Sequence, residues 1–145
     1  MKKSLIVIKP FLVLTLFFIS ITQNCFSEEP YDTEAEGEII FIDNCSLCHG
    51  DSAKGDGVFS KMLTIDTPDL TLLKSNNGGV FPYKEIFLTV DGRDEILIHG
   101  PRYMPLWGDR FKTSTWENVS EKHADTLVRG TIFELLIYLE SIQEN

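Results

Sequence analysis

The sequence predicts a small all-α domain whose helices are joined by long loops, and three observations support this. Apolar residues recur at helical spacing from Thr126 to Ile142, the clearest helical pattern in the chain. No stretch alternates apolar and polar residues as a half-buried strand would, and no internal repeat is present. Glycine and proline are frequent between Asp91 and Arg110, where they favour irregular chain over helix. The length of 145 residues suggests one domain.

The first helix is expected to begin at Thr33. Thr33 and Glu36 have the spacing of a capping box, in which a hydroxyl and a carboxylate satisfy free backbone N–H groups. Ile40 and Phe41 lie on one side of this helix, which should end near Cys45. Residues 50–57 are rich in Gly, Asp and Ser and are expected to form a loop.

The middle of the chain is predicted to contain only brief helical segments. A helical turn is expected over Val58–Leu63 and a short helix over Pro82–Val90, with turns at 66–69 and 76–79. The stretch Asp91–Arg110 should be one long irregular loop, and such loops in small domains are usually functional. A domain with so little regular structure would normally lack a sufficient core.

The N-terminus has the pattern of a secretory signal peptide. A positive start is followed by an apolar run from Leu5 to Ile21 that Lys9 and Pro10 interrupt. The uninterrupted part is shorter than the ~20 apolar residues that a membrane-spanning helix needs. We expect residues 1–27 to be the signal peptide and residues 28–145 the exported domain, in a periplasmic location.

Cleavage before Glu28 would place the small residues Cys25 and Ser27 at the positions that a signal peptidase reads. An uncleaved N-terminal anchor is the alternative, and only that alternative implies contact with a membrane. A lipid on Cys25 is disfavoured because the three residues before it are polar.

The composition of residues 28–145 limits the choice of partners. This part of the chain carries 22 acidic and 10 basic residues, a net charge of −12. Nucleic-acid binding is disfavoured because it needs clustered Lys and Arg. The acidity favours a partner with a basic docking face, although it would equally serve only to keep the protein in solution.

The segment Cys45–His49 reads Cys-Ser-Leu-Cys-His, the attachment signature of a c-type haem. Two thiols at this spacing can each add to one vinyl group of the porphyrin, and the adjacent histidine then becomes an iron ligand. Cys45 and Cys48 are the only cysteines after residue 27. A single covalently held haem c would also supply the core that the long loops leave incomplete.

Two other interpretations of this motif are weaker. A redox dithiol of the thioredoxin kind needs a strand before the motif and leaves His49 unexplained. A zinc site needs four ligands, and the chain has no second cysteine pair to complete it. His99 and His123 are too far apart in the sequence to form a ligand pair, and His123 lies among polar residues and is expected to be exposed.

The second axial ligand of the iron is predicted to be Met104. It lies 55 residues after His49 in the long loop, and Pro105 stiffens the chain after it. A His/Met pair raises the reduction potential. His99 is the rival ligand and would give a low-potential bis-His haem. Met62 is close to His49 in sequence and is expected to have an ordinary packing role.

These motifs resemble those of class I c-type cytochromes over most of residues 34–142. Gly37, Phe41 and the Cys-x-x-Cys-His-Gly segment resemble the family's first helix and haem site. Tyr138 stands at the aromatic position of the family's last helix, and the segment 103–108 resembles the methionine loop of bacterial members. The resemblance implies that the N- and C-terminal helices cross, closely at Gly37, and that long loops wrap around a covalent haem.

One departure from the family pattern is visible at Val58. Bacterial members often have proline after the Gly-Asp-Gly turn, where this chain has Val58. That stretch often supplies the carbonyl that accepts a hydrogen bond from the haem-ligating histidine. Val58 retains a carbonyl, so the bond to His49 is expected to survive.

Further haem contacts are expected from the same loop region. Tyr103 and Trp107 are predicted to lie beside the haem or its propionates, because aromatic O–H and N–H groups are good donors to carboxylates. Arg102 or Arg93 is predicted to neutralise a propionate in fork geometry. The alternative is that both arginines only solvate the loop.

The leading functional hypothesis is electron transport by a monohaem cytochrome. It would transfer single electrons between exported or membrane-bound redox partners and would not be an enzyme. The alternative is a haem-bearing electron-transfer subunit of a dehydrogenase or oxidase complex. A haem sensor or a peroxidase-like enzyme would need an open iron site, and Met104 argues against that.

Overall fold

A computed structural model describes residues 30–93, 104–113 and 119–144, and within these ranges the chain is all-α, without strands. The prediction of an all-α fold is therefore confirmed for this part of the chain. The predicted signal peptide, residues 1–27, lies outside it. None of the helices in these ranges is long and apolar enough to cross a membrane. The helices are α1 Thr33–Asn44, α2 Ser46–His49, α3 Leu73–Asn76, α4 Tyr83–Asp91, α5 Trp107–Thr113 and α6 Glu121–Ser141, with 3₁₀ turns at Ser60–Met62 and Leu70–Leu72.

Helix α1 begins where the sequence indicates, but its cap is a different residue. The side chain of Asp32 accepts hydrogen bonds from the N–H groups of Glu34 and Ala35, at 3.0 and 3.2 Å. Thr33, predicted as the cap, is the first helical residue. Asp and Thr are both good N-caps, so the local pattern leaves the boundary uncertain by one residue.

Two helices differ from the prediction. Helix α6 begins at Glu121, five residues before the predicted start. The prediction missed the first turn because that turn is polar and shows little apolar periodicity. Leu127, which belongs to the apolar pattern of this helix, is 43% exposed, whereas Val128 is fully buried. Helix α5 begins inside the stretch Asp91–Arg110 that was predicted to be irregular and extends three residues beyond it. Trp107 and Phe111, four residues apart, are both buried with ring centroids 5.7 Å apart, and this packing outweighs the neighbouring Gly and Pro residues.

Helices α1 and α6 cross in close contact at Gly37. A β-carbon at Gly37 would collide with the backbone carbonyl of Glu134 and come within 2.8 Å of the β-carbon of Tyr138. One turn further along α1, Phe41 is fully buried, and its ring lies 5.4 Å from that of Tyr138. The expected crossing of the terminal helices is therefore present, with Gly37 and Tyr138 at the contact.

Replacing Gly37 with alanine should destabilise the protein although alanine is the better helix former. The new methyl group meets backbone, which cannot rotate away, so the helices must separate, at a cost of about 1–3 kcal/mol. Gly130→Ala in α6 is the matched control, since a β-carbon there meets nothing within 4 Å. That control should stabilise by about 0.5–1 kcal/mol. Denaturant unfolding of both variants tests this, and an unchanged midpoint for Gly37→Ala would contradict it.

The residues after α6 form hydrogen bonds with the 3₁₀ turn at Leu70–Leu72 and with the segment that follows it. The amide of Gln143 donates to the carbonyl of Leu70 at 2.7 Å and accepts from the N–H of Lys74 at 2.8 Å. The N–H of Glu144 donates to the carbonyl of Thr71 at 2.9 Å. These bonds fix the chain around residues 70–74 against the end of α6.

Candidate functional site

The Cys-x-x-Cys-His motif forms a helical turn directly after α1. Cys45 is at once the C-cap of α1 and the N-cap of α2. The N–H groups of Cys48 and His49 both donate to the carbonyl of Cys45, at 3.1 and 2.9 Å. Cys45 is buried and Cys48 half-buried, and both are free thiols. These hydrogen bonds fix the backbone that carries both thiols and the imidazole.

The environment of Cys45 differs from that of a redox dithiol. Burial, followed by the charge of Cys48, raises the pKa of the Cys45 thiol to about 12. Reactive dithiols instead have a lowered pKa, because the thiolate is the nucleophile. The motif also follows a helix rather than a strand. In the described ranges, no three His, Cys, Asp or Glu side chains converge as a possible metal site.

The ring of His49 is held by the backbone carbonyl of Pro68, 3.3 Å from Nδ1. With the proton assigned to Nδ1, this contact is a hydrogen bond that leaves the lone pair on Nε2. Burial lowers the pKa of His49, against the opposing effect of the Pro68 bond. The neutral imidazole, the form that binds a metal, is therefore favoured. The hydrogen bond to the Pro68 carbonyl orients the ring.

The expectation that Val58 supplies this carbonyl is wrong. The chain around Val58 turns back on the motif and donates to it instead. The N–H of Gly57 donates to the carbonyl of Cys48 at 3.2 Å, and that of Phe59 to the carbonyl of Leu47 at 2.9 Å. Pro68, ten residues later, takes the position next to the imidazole because the loop folds over the motif.

An apolar cavity of about 290 Å³ lies beside the motif. Cys45, His49 and Met104 all line it, and they come from three separate parts of the sequence. Its other walls are mostly hydrocarbon: Phe41, Pro68, Leu70, Leu73, Pro82, Ile86, Val90, Leu135 and Leu139, with Glu85 and Thr89 also contributing. The volume is near the lower end of the range for cofactor pockets.

The remaining predicted site residues do not all meet at this cavity. Trp107 is buried against Phe111 and is not among the residues that line the cavity. The guanidinium of Arg93 binds two carboxylates, those of Asp91 and Asp125, rather than being left for a propionate. Arg102, Tyr103 and His99 lie outside the described residues.

Two further expectations concern residues away from the cavity. Met62, expected to pack in an ordinary way, is 77% exposed, because the turn at Ser60–Met62 directs its side chain to solvent. His123, expected to be exposed, is exposed.

The residues at the cavity fit a covalently attached haem. Cys45 lines the cavity, and Cys48, which is not among the lining residues, follows it at the sequence spacing that two vinyl groups need. The imidazole of His49 is oriented by Pro68, and its lowered pKa favours the neutral form. A thioether lines the same cavity, and the walls are apolar, as a porphyrin face requires. No functional role was predicted for Pro68 or Asp91. Nothing in the residues around Pro68 indicates that its carbonyl contacts His49, which lies 19 residues earlier in the chain.

Comparisons of the chain with family models, curated proteins and solved structures return no match.

Proposed function

We propose that the chain is an exported monohaem c-type cytochrome that transfers single electrons between redox partners. Cys45 and Cys48 would hold one haem c covalently, and His49 and Met104 would bind its iron. The observation that carries the proposal is that His49 and Met104, 55 residues apart, line one apolar cavity together with Cys45.

The bound haem would supply an iron that gains and loses one electron reversibly. The chain's own residues determine how easily this happens. Pro68 keeps the imidazole of His49 oriented, and a thioether ligand favours the reduced iron and so raises the potential. The hydrocarbon walls would keep water from the bound group, and the resulting low dielectric would disfavour the extra positive charge of oxidised iron.

The arrangement of the helices supports a cytochrome c-like fold. Helices α1 and α6 make the most extensive contact between elements in the described chain, and they cross where Gly37 permits it. The crossing places Phe41 and Leu135 on the wall of the cavity. The contact between α1 and α6 would thereby shape the proposed haem site.

One observation favours the alternative, an electron-transfer subunit of a dehydrogenase or oxidase complex. The chain after the motif exposes Val58 (70%), Phe59 (47%) and Met62 (77%). Exposed apolar groups close together are typical of protein contact sites. Size-exclusion chromatography separates the two functions, since a free carrier elutes as a monomer whereas a subunit co-purifies with a catalytic chain.

Expression of the full chain together with haem-maturation machinery tests the proposal. We expect haem that survives denaturing electrophoresis, a reduced-minus-oxidised visible spectrum of a low-spin c-type haem, and a methionine–sulfur band in the near infrared of the ferric protein. Expression without the machinery is the control and should yield no covalent haem. A chain that acquires no covalent haem under maturation would overturn the proposal.

A further inference from the structure

Five charged side chains, which we call the Asp91 cluster, connect the end of α4 with α5 and α6. The members are Asp91, Arg93, Lys112, Glu121 and Asp125. Arg93 donates from Nε and Nη2 to the two oxygens of Asp91, at 2.5 and 3.1 Å, and from Nη1 to Asp125 at 2.6 Å. Lys112 approaches Asp125 at 3.5 Å and Glu121 at 3.3 Å.

Asp91 is the member whose position most needs an explanation. It is 6% exposed and is the last residue of α4. A carboxylate at a helix C-terminus faces the negative end of the helix dipole, and a buried charge is costly unless it is paired. The two-pronged contact from Arg93 offsets these costs. Buried ion pairs of this kind contribute little net stability, and some define a specific arrangement instead.

The element arranged by this pair is α5. A β-carbon at Gly108 would come within 2.5 Å of Arg93 Nε and 2.8 Å of the Asp91 carbonyl oxygen, so the first turn of α5 lies directly against the pair. Trp107 and Phe111 anchor the same helix in the core. Helix α5 is thus located by apolar packing and by the Asp91–Arg93 pair.

Met104 stands three residues before the start of α5, with Pro105 restricting the chain between them. Resting on the proposed function, we propose that Asp91 and Arg93 are positioning residues that fix α5 and thereby hold the sulfur of Met104 on the haem iron. Neither residue lines the cavity. Their effect on the iron is indirect, through the backbone of α5 and the short link to Met104.

The test uses the full, haem-loaded protein and the variant Asp91→Asn, which keeps the side-chain shape but cannot accept both Arg93 bonds. We expect ferric Asp91→Asn to bind imidazole about fivefold more tightly or more, the lower end of coupling between linked sites. Its methionine–sulfur band should weaken in parallel. Glu121→Gln is the control, because Glu121 is 85% exposed at the far end of the cluster. It should leave the imidazole affinity and the methionine–sulfur band unchanged.

The outcomes separate this inference from the proposed function. Unaltered protein without covalent haem would overturn the proposed function. Unaltered protein with covalent haem but without a methionine–sulfur band would overturn the positioning role together with the ligand role of Met104, because Met104 would then not be a ligand. If the band is present in unaltered protein, a folded Asp91→Asn with the same band and imidazole affinity overturns the positioning role alone, even if it unfolds at a lower temperature. Should Asp91→Asn not fold, Arg93→Gln is measured in the same way and decides by the same criteria.

Discussion

The double replacement Cys45→Ala, Cys48→Ala is expected to abolish covalent haem and stable folding together. Each thiol is needed for a thioether bond, so no haem should remain after denaturation. The walls of the cavity include Phe41, Ile86 and Leu135. Without the macrocycle the sides of these residues that face the cavity lose the apolar contact that haem would supply, and a small domain has little stability to lose. Haem staining after denaturing electrophoresis and circular dichroism of the purified chain measure the two effects.

Cys25→Ala is the matched control for this double replacement. Cys25 is the remaining cysteine of the chain and lies in the predicted signal peptide. Its replacement should leave both the haem and the helical spectrum unchanged. A well-folded, haem-free double variant would contradict the idea that haem completes the core. Loss of covalent haem in Cys25→Ala would contradict the assignment of attachment to Cys45 and Cys48.

The replacement Met104→Ala should leave the haem attached but open the iron. Met104 lines the cavity with His49 and is the proposed second ligand. Without the thioether, ferric protein should bind exogenous imidazole or cyanide more than about tenfold more tightly, a difference of at least about 1.4 kcal/mol. The reduction potential should fall, because the ligand that favours reduced iron is gone. Ligand titrations and a potentiometric titration give these values.

Met62→Ala is the control for Met104→Ala, since it removes the same functional group from an exposed position. It should change neither the ligand affinity nor the potential. If Met104→Ala instead keeps a six-coordinate low-spin spectrum and its potential, Met104 is not the ligand. His99 would then be the strongest candidate, and the chain a low-potential bis-His cytochrome.

Helices whose formation depends on residues close together in the sequence could be predicted from local pattern. The helix of Thr33–Asn44 follows from a capping signal and one apolar side, and its predicted end near Cys45 is confirmed. The short helix predicted over Pro82–Val90 is present as Tyr83–Asp91. Where the prediction is wrong, as at α5, the helix depends on contacts of Trp107 and Phe111 with the core rather than on local propensity, which the nearby Gly and Pro residues lower.

The haem-attachment motif could be identified from local pattern alone, because Cys45, Cys48 and His49 lie within five consecutive residues. Which distant residues lie beside this motif depends on the folding of the chain. The tertiary structure places Met104 on the same cavity, gives the carbonyl of Pro68 to His49, and pairs Arg93 with carboxylates. Local periodicity carries no information about such contacts, because they arise only when segments far apart in the chain bury their apolar sides against one another.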